Sequence, residues 1–167
     1  MLEIVSQLSD LSFSSLCDLY WSEPSVLGDK DSIQTDDCRR RMADEQDFYA
    51  YLRSVFFMTP EAFYAIGVDA GRYVSAVRVE PFRDGYILAG LVTHAAFRRH
   101  GFGKKLLSGV IDYVKSSGDV RLYSHIDRQN YASIELHKCC GFREILDYAV
   151  FLDGSVSQKY HTFLLDN

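Results

Sequence analysis

Between Thr93 and Lys105 the chain reads Thr-His-Ala-Ala-Phe-Arg-Arg-His-Gly-Phe-Gly-Lys-Lys, with Arg98, Arg99, Lys104 and Lys105 set around Gly101 and Gly103. Glycine permits a turn in which successive backbone N–H groups converge. A helix opening at such a turn adds its orphan N–H groups and the positive end of its dipole, which favour an anion. The chemistry on offer is therefore the binding of a phosphate or pyrophosphate. Two other glycine-rich phosphate motifs fail on spacing. A dinucleotide fingerprint would need glycine where Leu106 stands, and a nucleotide-triphosphate loop would need Ser or Thr where Lys105 stands. The plain alternative is a glycine turn that only caps a helix.

A second run, Asn130-Tyr-Ala-Ser133-Ile-Glu-Leu136-His137-Lys-Cys-Cys-Gly141-Phe142, begins with a good N-cap residue and carries a histidine. An imidazole has an ordinary pKa of about 6.5, against about 8.5 for a thiol, so His137 can donate a hydrogen bond to sulfur, or a proton when cationic. A histidine packed on a sheet with no chemical duty is the competing reading. Cys17, Cys38, Cys139 and Cys140 form no C-x-x-C pair, and adjacent cysteines such as Cys139 and Cys140 rarely bridge. Reduced, partly buried thiols are expected, with no metal site and no local Cys-His pair for nucleophilic work.

The elements that must position these residues can be read from periodicity. Met1–Val5 reads as a first strand, and Leu11–Trp21 as a helix with Leu11, Leu16, Leu19 and Tyr20 on its apolar side. Pro24 and Gly28 break it, and Gly28–Asp37 is acid-rich and reads as a solvated loop. A helix from Cys38 toward Met58 carries Phe48, Tyr51, Leu52, Val55 and Phe56 at spacings of three and four and ends before Pro60. Strands at Phe63–Val68, Tyr73–Glu80 and Tyr86–Thr93, separated by Asp69-Ala-Gly71 and Arg83-Asp-Gly85, read as a three-strand meander. The helix Gly101–Lys115 then packs Phe102, Leu106, Leu107, Val110, Ile111 and Val114 on that sheet. Next come a strand at Val120–Ile126 and a helix opened by Asn130, with Ala132, Leu136, Cys139 and Cys140 inward. Final strands lie near Arg143–Leu152 and Gln158–Leu165.

At 167 residues, against a domain size of about 150, one domain is expected, spanning residues 1–167. The composition is 47% hydrophobic and 25% charged, which excludes disordered and low-complexity classes. Lys+Arg 18 against Asp+Glu 23 gives a net charge of −5, so no nucleic-acid partner is expected. No apolar run reaches the roughly 18 residues of a membrane span, and the N-terminus has no secretion-signal pattern. A cytoplasmic protein with no membrane partner is the expectation.

Arg98-x-x-Gly101-x-Gly103 after a β-meander resembles the acyl-CoA-binding motif of the GNAT superfamily of N-acetyltransferases. The run from Asn130 to Phe142 resembles that superfamily's later helix. The likeness covers residues 60–152 well and the first 60 only in outline. It implies a mixed α/β fold with a mostly antiparallel sheet of about six to seven strands flanked by four helices, the fourth and fifth strands parallel and splayed. Leu91, Val92 and Thr93 would offer backbone groups to the pantetheine arm of acetyl-CoA. The amides of Arg99, His100, Gly101, Phe102, Gly103 and Lys104 would cradle its pyrophosphate, with Arg98 fixing the turn or reaching a phosphate. Asn130 and Ser133 would approach the cofactor, or serve only as cap and first-turn residue.

The reaction implied is acetyl transfer from acetyl-CoA to a primary amine, small or peptide, by direct attack through a tetrahedral intermediate. His137 stands where relatives place a tyrosine and would protonate the leaving thiolate, with Tyr131 in reserve. Relatives often carry a Glu on the strand before the turn, but Ile87–Val92 contains no carboxylate. Glu80 or His94 could serve as base through water, or the amine could arrive neutral. Tyr20, Trp21, Phe48, Tyr51 and Phe56 on the early helices would border the acceptor pocket, or simply pack the core. The acidic loop at 29–37 could attract a cationic amine, or simply be a solvated loop. A homodimer is compatible with the resemblance. A catalytically silent acyl-CoA-binding or regulatory module of the same fold is the alternative function.

Overall fold

The computed structural model describes residues 1–22, 33–118 and 120–166, with the backbone alone for 33–39. In chain order the elements are β1 (Leu2–Val5), α1 (Phe13–Tyr20), α2 (Ile33–Ser54), β2 (Phe63–Asp69), β3 (Arg72–Phe82), β4 (Gly85–Thr93), α3 (Phe102–Lys115), β5 (Arg121–Asp127), α4 (Tyr131–Cys139), β6 (Arg143–Leu146), β7 (Ala149–Val150), β8 (Val156–Ser157) and β9 (Tyr160–Leu165). Seven strands form one sheet in the order β1-β2-β3-β4-β5-β9-β6, and β7 pairs with β8 in a separate ribbon. Among the described residues, β4 and β5 are the one parallel pair.

Alternation along the strands divides the core into two layers. Val77 and Val79 of β3, Leu88 of β4 and Leu122 and Ile126 of β5 face α3, where Leu106, Leu107, Val110 and Val114 meet them. Ala76 of β3 and Tyr64 and Ile66 of β2 face the opposite layer, against Leu16 and Leu19 of α1 and Leu52 of α2. Further along that second face, Tyr123 of β5 packs with Phe82 and Leu164.

Two readings of the sequence need correction. The acid-rich segment expected to loop as far as Asp37 is helical from Ile33 onward; acidic residues suit a helix N-terminus as well as a loop. Its residues 28–32 lie outside the described residues. On α4 the inward face is shifted: Ala132 and Cys139 are exposed, and His137 is the residue buried at the centre.

Two irregularities in β4 set up the site. Ala76 pairs with Val92 and Arg78 with Ala89, so Val77 stands opposite both Gly90 and Leu91, a β-bulge. Gly90 takes φ +63 there, a left-handed conformation that favours glycine. On the other edge, the β4–β5 register ends at Leu88↔Ser124, while β4 continues through Thr93 and β5 through Asp127. Beyond that pair the two parallel strands part.

Candidate functional site

The free edge of β4 leads into the glycine turn. His94 caps a short 3-10 turn, its Nδ1 accepting from the Ala96 N–H at 3.2 Å, while its Nε2 lies 3.7 Å from Asp18 Oδ2. Arg98 Nε donates to the Thr93 carbonyl at 3.2 Å and so closes the turn on the end of β4. His100 Nδ1–H donates to the Arg98 carbonyl at 2.7 Å. Arg99 and Gly101 both adopt positive φ, 64° and 81°. The first helical bond of α3 runs from the Lys105 N–H to the Gly101 carbonyl at 3.0 Å, so the amides of Phe102, Gly103 and Lys104 lie open at the helix start.

Across from β4 stands the first part of α4. Asn130 Oδ1 accepts from the Ser133 N–H at 3.1 Å, a side-chain cap of the kind its sequence position suggested. Between α4, the turn and the β4 edge lies a cleft of about 830 Å³, lined by Leu91, Val92, Thr93, Phe97, Arg98, Arg99, Gly101, Phe102, Gly103, Lys104, Asn130, Ala132, Ser133 and Leu136. The sequence-derived cofactor residues thus converge on one cavity, with His100 alone outside its wall. Gly103 sits where a side chain would crowd the cleft, since a Cβ there would stand 3.2 Å from Thr93 Oγ1 and 3.3 Å from Leu136 Cδ2. Phe97, Ala132 and Leu136 were not expected in this wall. Leu136, three residues after Ser133 on a helix, shares its face, and that spacing was the available signal.

The candidates for proton transfer fall elsewhere. His137 is 1% exposed. Its Nδ1–H donates to the Ser133 carbonyl at 2.8 Å, its ring meets Phe142 edge-on at 5.0 Å, and its buried Nε2 has no hydrogen-bond partner among the described residues. Burial holds its pKa below the ordinary imidazole value, partly opposed by the bond to Ser133. A neutral ring with its proton on Nδ1 presents only a lone pair at Nε2. His137 is thus a core residue outside the cleft wall, and the expected proton donation to sulfur has no geometric support. Tyr131, 73% exposed, is also outside the wall.

Glu80 lies on the α1–α2 face of the sheet. Its Oε1 is 3.8 Å from Arg78 Nε and accepts from Tyr51 Oη at 3.4 Å, while the Arg78 guanidinium sits 5.1 Å over the Tyr51 ring. Glu80 pairs across β3–β4 with Ile87, before the strands part, and His94 follows Thr93 at the far end of β4. At the bulge itself, Tyr20 Oη donates to the Gly90 carbonyl at 2.9 Å and lies 3.2 Å from Tyr64 Oη. Desolvation raises the pKa of the Tyr20 hydroxyl, which keeps it a proton-bearing donor.

The early aromatics mostly serve each other. Phe48 contacts the rings of Tyr20 and Trp21 at 5.4 and 6.1 Å, and Tyr51 meets Phe56 at 6.4 Å. Cys17 is buried, its thiol pushed up to about 11, first by burial and then by the charge of Glu45. Burial likewise raises the Cys140 thiol, which disfavours a thiolate nucleophile. Among the described residues no cluster of His, Cys, Asp and Glu is arranged to hold a metal ion, and no helix is long and apolar enough to cross a membrane.

The seven-stranded mixed sheet, with β4 and β5 as a parallel pair that parts and a glycine turn at the start of α3, is the architecture that the family resemblance implied. The sequence matches the acetyltransferase (GNAT) family over residues 13–142, and the chain belongs to that family. No curated protein matches it. Among solved structures, the ribosomal-protein-S18-alanine N-acetyltransferase of Escherichia coli is similar, with a TM-score of 0.62 and 17% identity over 99% of this chain and 94% of that one. An aminoglycoside 6'-acetyltransferase type Ii gives a TM-score of 0.66 and 15% identity, covering 99% and 96% of the two chains. The PaiA N-acetyltransferase of Thermoplasma acidophilum, in complex with coenzyme A, gives 0.62 and 10% identity over 100% and 99%.

Proposed function

We propose that this chain transfers an acetyl group from acetyl-CoA to a primary amine, small or peptide, by direct attack. One observation carries the reading: the strand edge freed by the parting of β4 and β5 and the open amides at the start of α3 share a single cleft. Acetyl-CoA fits the chemistry of that wall. Its pantetheine amides need backbone partners of the kind Leu91, Val92 and Thr93 supply along an unpaired edge. Its pyrophosphate needs converging N–H groups and positive charge, which the turn from Arg99 to Lys104 provides. Leu136 and Phe97 give the apolar contact that a thioester arm requires. Arg98 then acts on the turn's shape through Thr93, and Asn130 fixes the start of α4, so that both hold the walls apart at a set width.

Bound acetyl-CoA supplies an activated acyl group, and the residues here hold it still and exclude water. Past Leu88 the backbone N–H groups of β4 are no longer paired with β5, and one of them would polarise the thioester carbonyl oxygen. The amine would enter from the α1–α2 face, past Tyr20 and Arg78. The absence of a carboxylate on Ile87–Val92 favours a second reading, a catalytically silent acyl-CoA-binding module of the same fold.

The test is release of CoA thiol from acetyl-CoA in the presence of an amine panel spanning polyamines, amino acids, aminoglycosides and peptide N-termini. The proposal expects release that depends on both the protein and one class of amine. Tight acetyl-CoA binding with no release above background across the panel would support the silent module instead.

A further inference from the structure

We infer that His125 is the general base of the acyl transfer, taking the proton that the amine nitrogen loses as it bonds to the thioester carbon. This rests on the acyl-transfer reading of the cleft. The β4–β5 register ends at Leu88↔Ser124, so His125 is the first residue of β5 past the parting point. Strand alternation puts it on the side of its neighbour Tyr123, which packs against Phe82 and Leu164 and not against α3. That is the face on which Tyr20 reaches the Gly90 bulge from α1. His125 therefore stands across the gap from Ala89 and Gly90, on the side from which an amine would approach.

Its surroundings suit a base. The ring is held edge-on between Phe82, 5.6 Å away, and Phe151, 5.2 Å away. The other four histidines each have a polar partner: the Ala96 amide for His94, the Arg98 carbonyl for His100, the Ser133 carbonyl for His137 and the Glu144 carboxylate, at 2.7 Å, for His161. Among the described residues His125 has no hydrogen-bond or ion-pair partner; it is half-buried and stands outside the wall of the cofactor cleft, on the sheet face from which the amine would come.

Burial first, and the charge of Arg83 second, hold its pKa below the ordinary imidazole value. The other titratable groups around it are Tyr123 and Asp127 on β5 and Tyr160 on β9, beside Phe151. Tyr123 is bound to Asp84 at 2.8 Å and Asp127 is paired with Lys159 at 3.4 Å, so neither engages His125. At neutral pH it is uncharged and can accept a proton.

The step balances. The amine lone pair forms the N–C bond, one N–H proton passes to the imidazole, and the C–S bond breaks with its electron pair left on sulfur. The thiolate takes a proton from solvent, and the imidazolium, disfavoured by burial and Arg83, returns its own to solvent. This assignment answers the want of a carboxylate on β4, which neither Glu80, paired with Arg78 before the strands part, nor His94, engaged as a cap, meets by position.

The test uses the full chain in two arms. With ¹³C-labelled histidine, the His125 signal, identified by its loss in His125→Gln, should shift when acetyl-CoA is added to the wild type. With an amine accepted in the thiol-release assay, His125→Gln should lower kcat by about 100-fold or more while acetyl-CoA affinity stays within about twofold. The wild-type rate should rise with pH through a limb below the usual imidazole range. That limb should vanish in His125→Gln, and added imidazole should restore part of the rate to His125→Ala. Acetyl-CoA binding that leaves the His125 signal unmoved, or wild-type kcat and pH limb in His125→Gln, overturns the assignment alone. Absence of acetyl-CoA binding to the wild type overturns the acyl-transfer reading and the assignment with it.

Discussion

At position 137 a sequence pattern and a physical environment point to different roles. The run Asn130–Phe142 places an imidazole where a proton donor would be useful, but a pattern carries no rotamer, and the ring folds back onto its own helix to meet the Ser133 carbonyl. A buried histidine with a lowered pKa is charged more readily in the unfolded chain than in the folded one. Its contribution to stability is therefore present above the unfolded pKa of about 6.5 and is lost as pH falls from there toward the folded value. His137→Leu removes this linkage and the unpartnered Nε2 together. Urea titrations should find the variant within about 1 kcal/mol of wild type at pH 8. Between pH 7.5 and 5 its stability should decline less than that of the wild type, and CoA release should be unchanged. A large fall in turnover would return His137 to the mechanism.

At the scale of elements, the meander, α3 and the order of the later segments were legible because their signals are local: alternation, turn residues and a helical stripe. The parting of β4 and β5 was legible only through family resemblance, since nothing local in Ile87–Val92 or Arg121–Asp127 says where a parallel register ends. The inward face of α4 was misread because Cys139 and Ala132 are apolar enough to pass for core, while the residue that fills the core is polar and satisfies itself on the helix backbone. His125 was missed for a related reason. Its place beside the gap follows from a strand pairing between segments far apart in sequence, and Phe82 and Phe151, which hold it, come from elsewhere still. The bulge gives this scale its prediction. A Cβ at Gly90 would stand 3.0 Å from Tyr20 Oη, and a left-handed conformation costs a non-glycine residue about 1–2 kcal/mol. Gly90→Ala should lower stability in thermal or urea unfolding by about 2 kcal/mol and displace Tyr20, with a fall in CoA release larger than the fall in acetyl-CoA affinity. Equal losses in both would mean that the bulge serves the cleft as a whole.

For the whole molecule, a net charge of −5 conceals an uneven distribution. Four cations border the glycine turn between positions 98 and 105, and Arg98, Arg99 and Lys104 reach the cleft wall. On the proposed reading, that concentration, next to open amides and an unpaired strand edge, would let an acidic chain take a small polyanionic donor. The most direct measurement is a calorimetric titration of the full chain with acetyl-CoA, repeated with Lys104→Glu and with Gly101→Val, which cannot easily hold a φ of 81°. Saturable binding at one site, weakened about tenfold or more by either substitution while the fold is retained, is the predicted result. No binding by the wild type, or binding indifferent to both substitutions, would contradict the placement of acetyl-CoA between the parted strands and the turn.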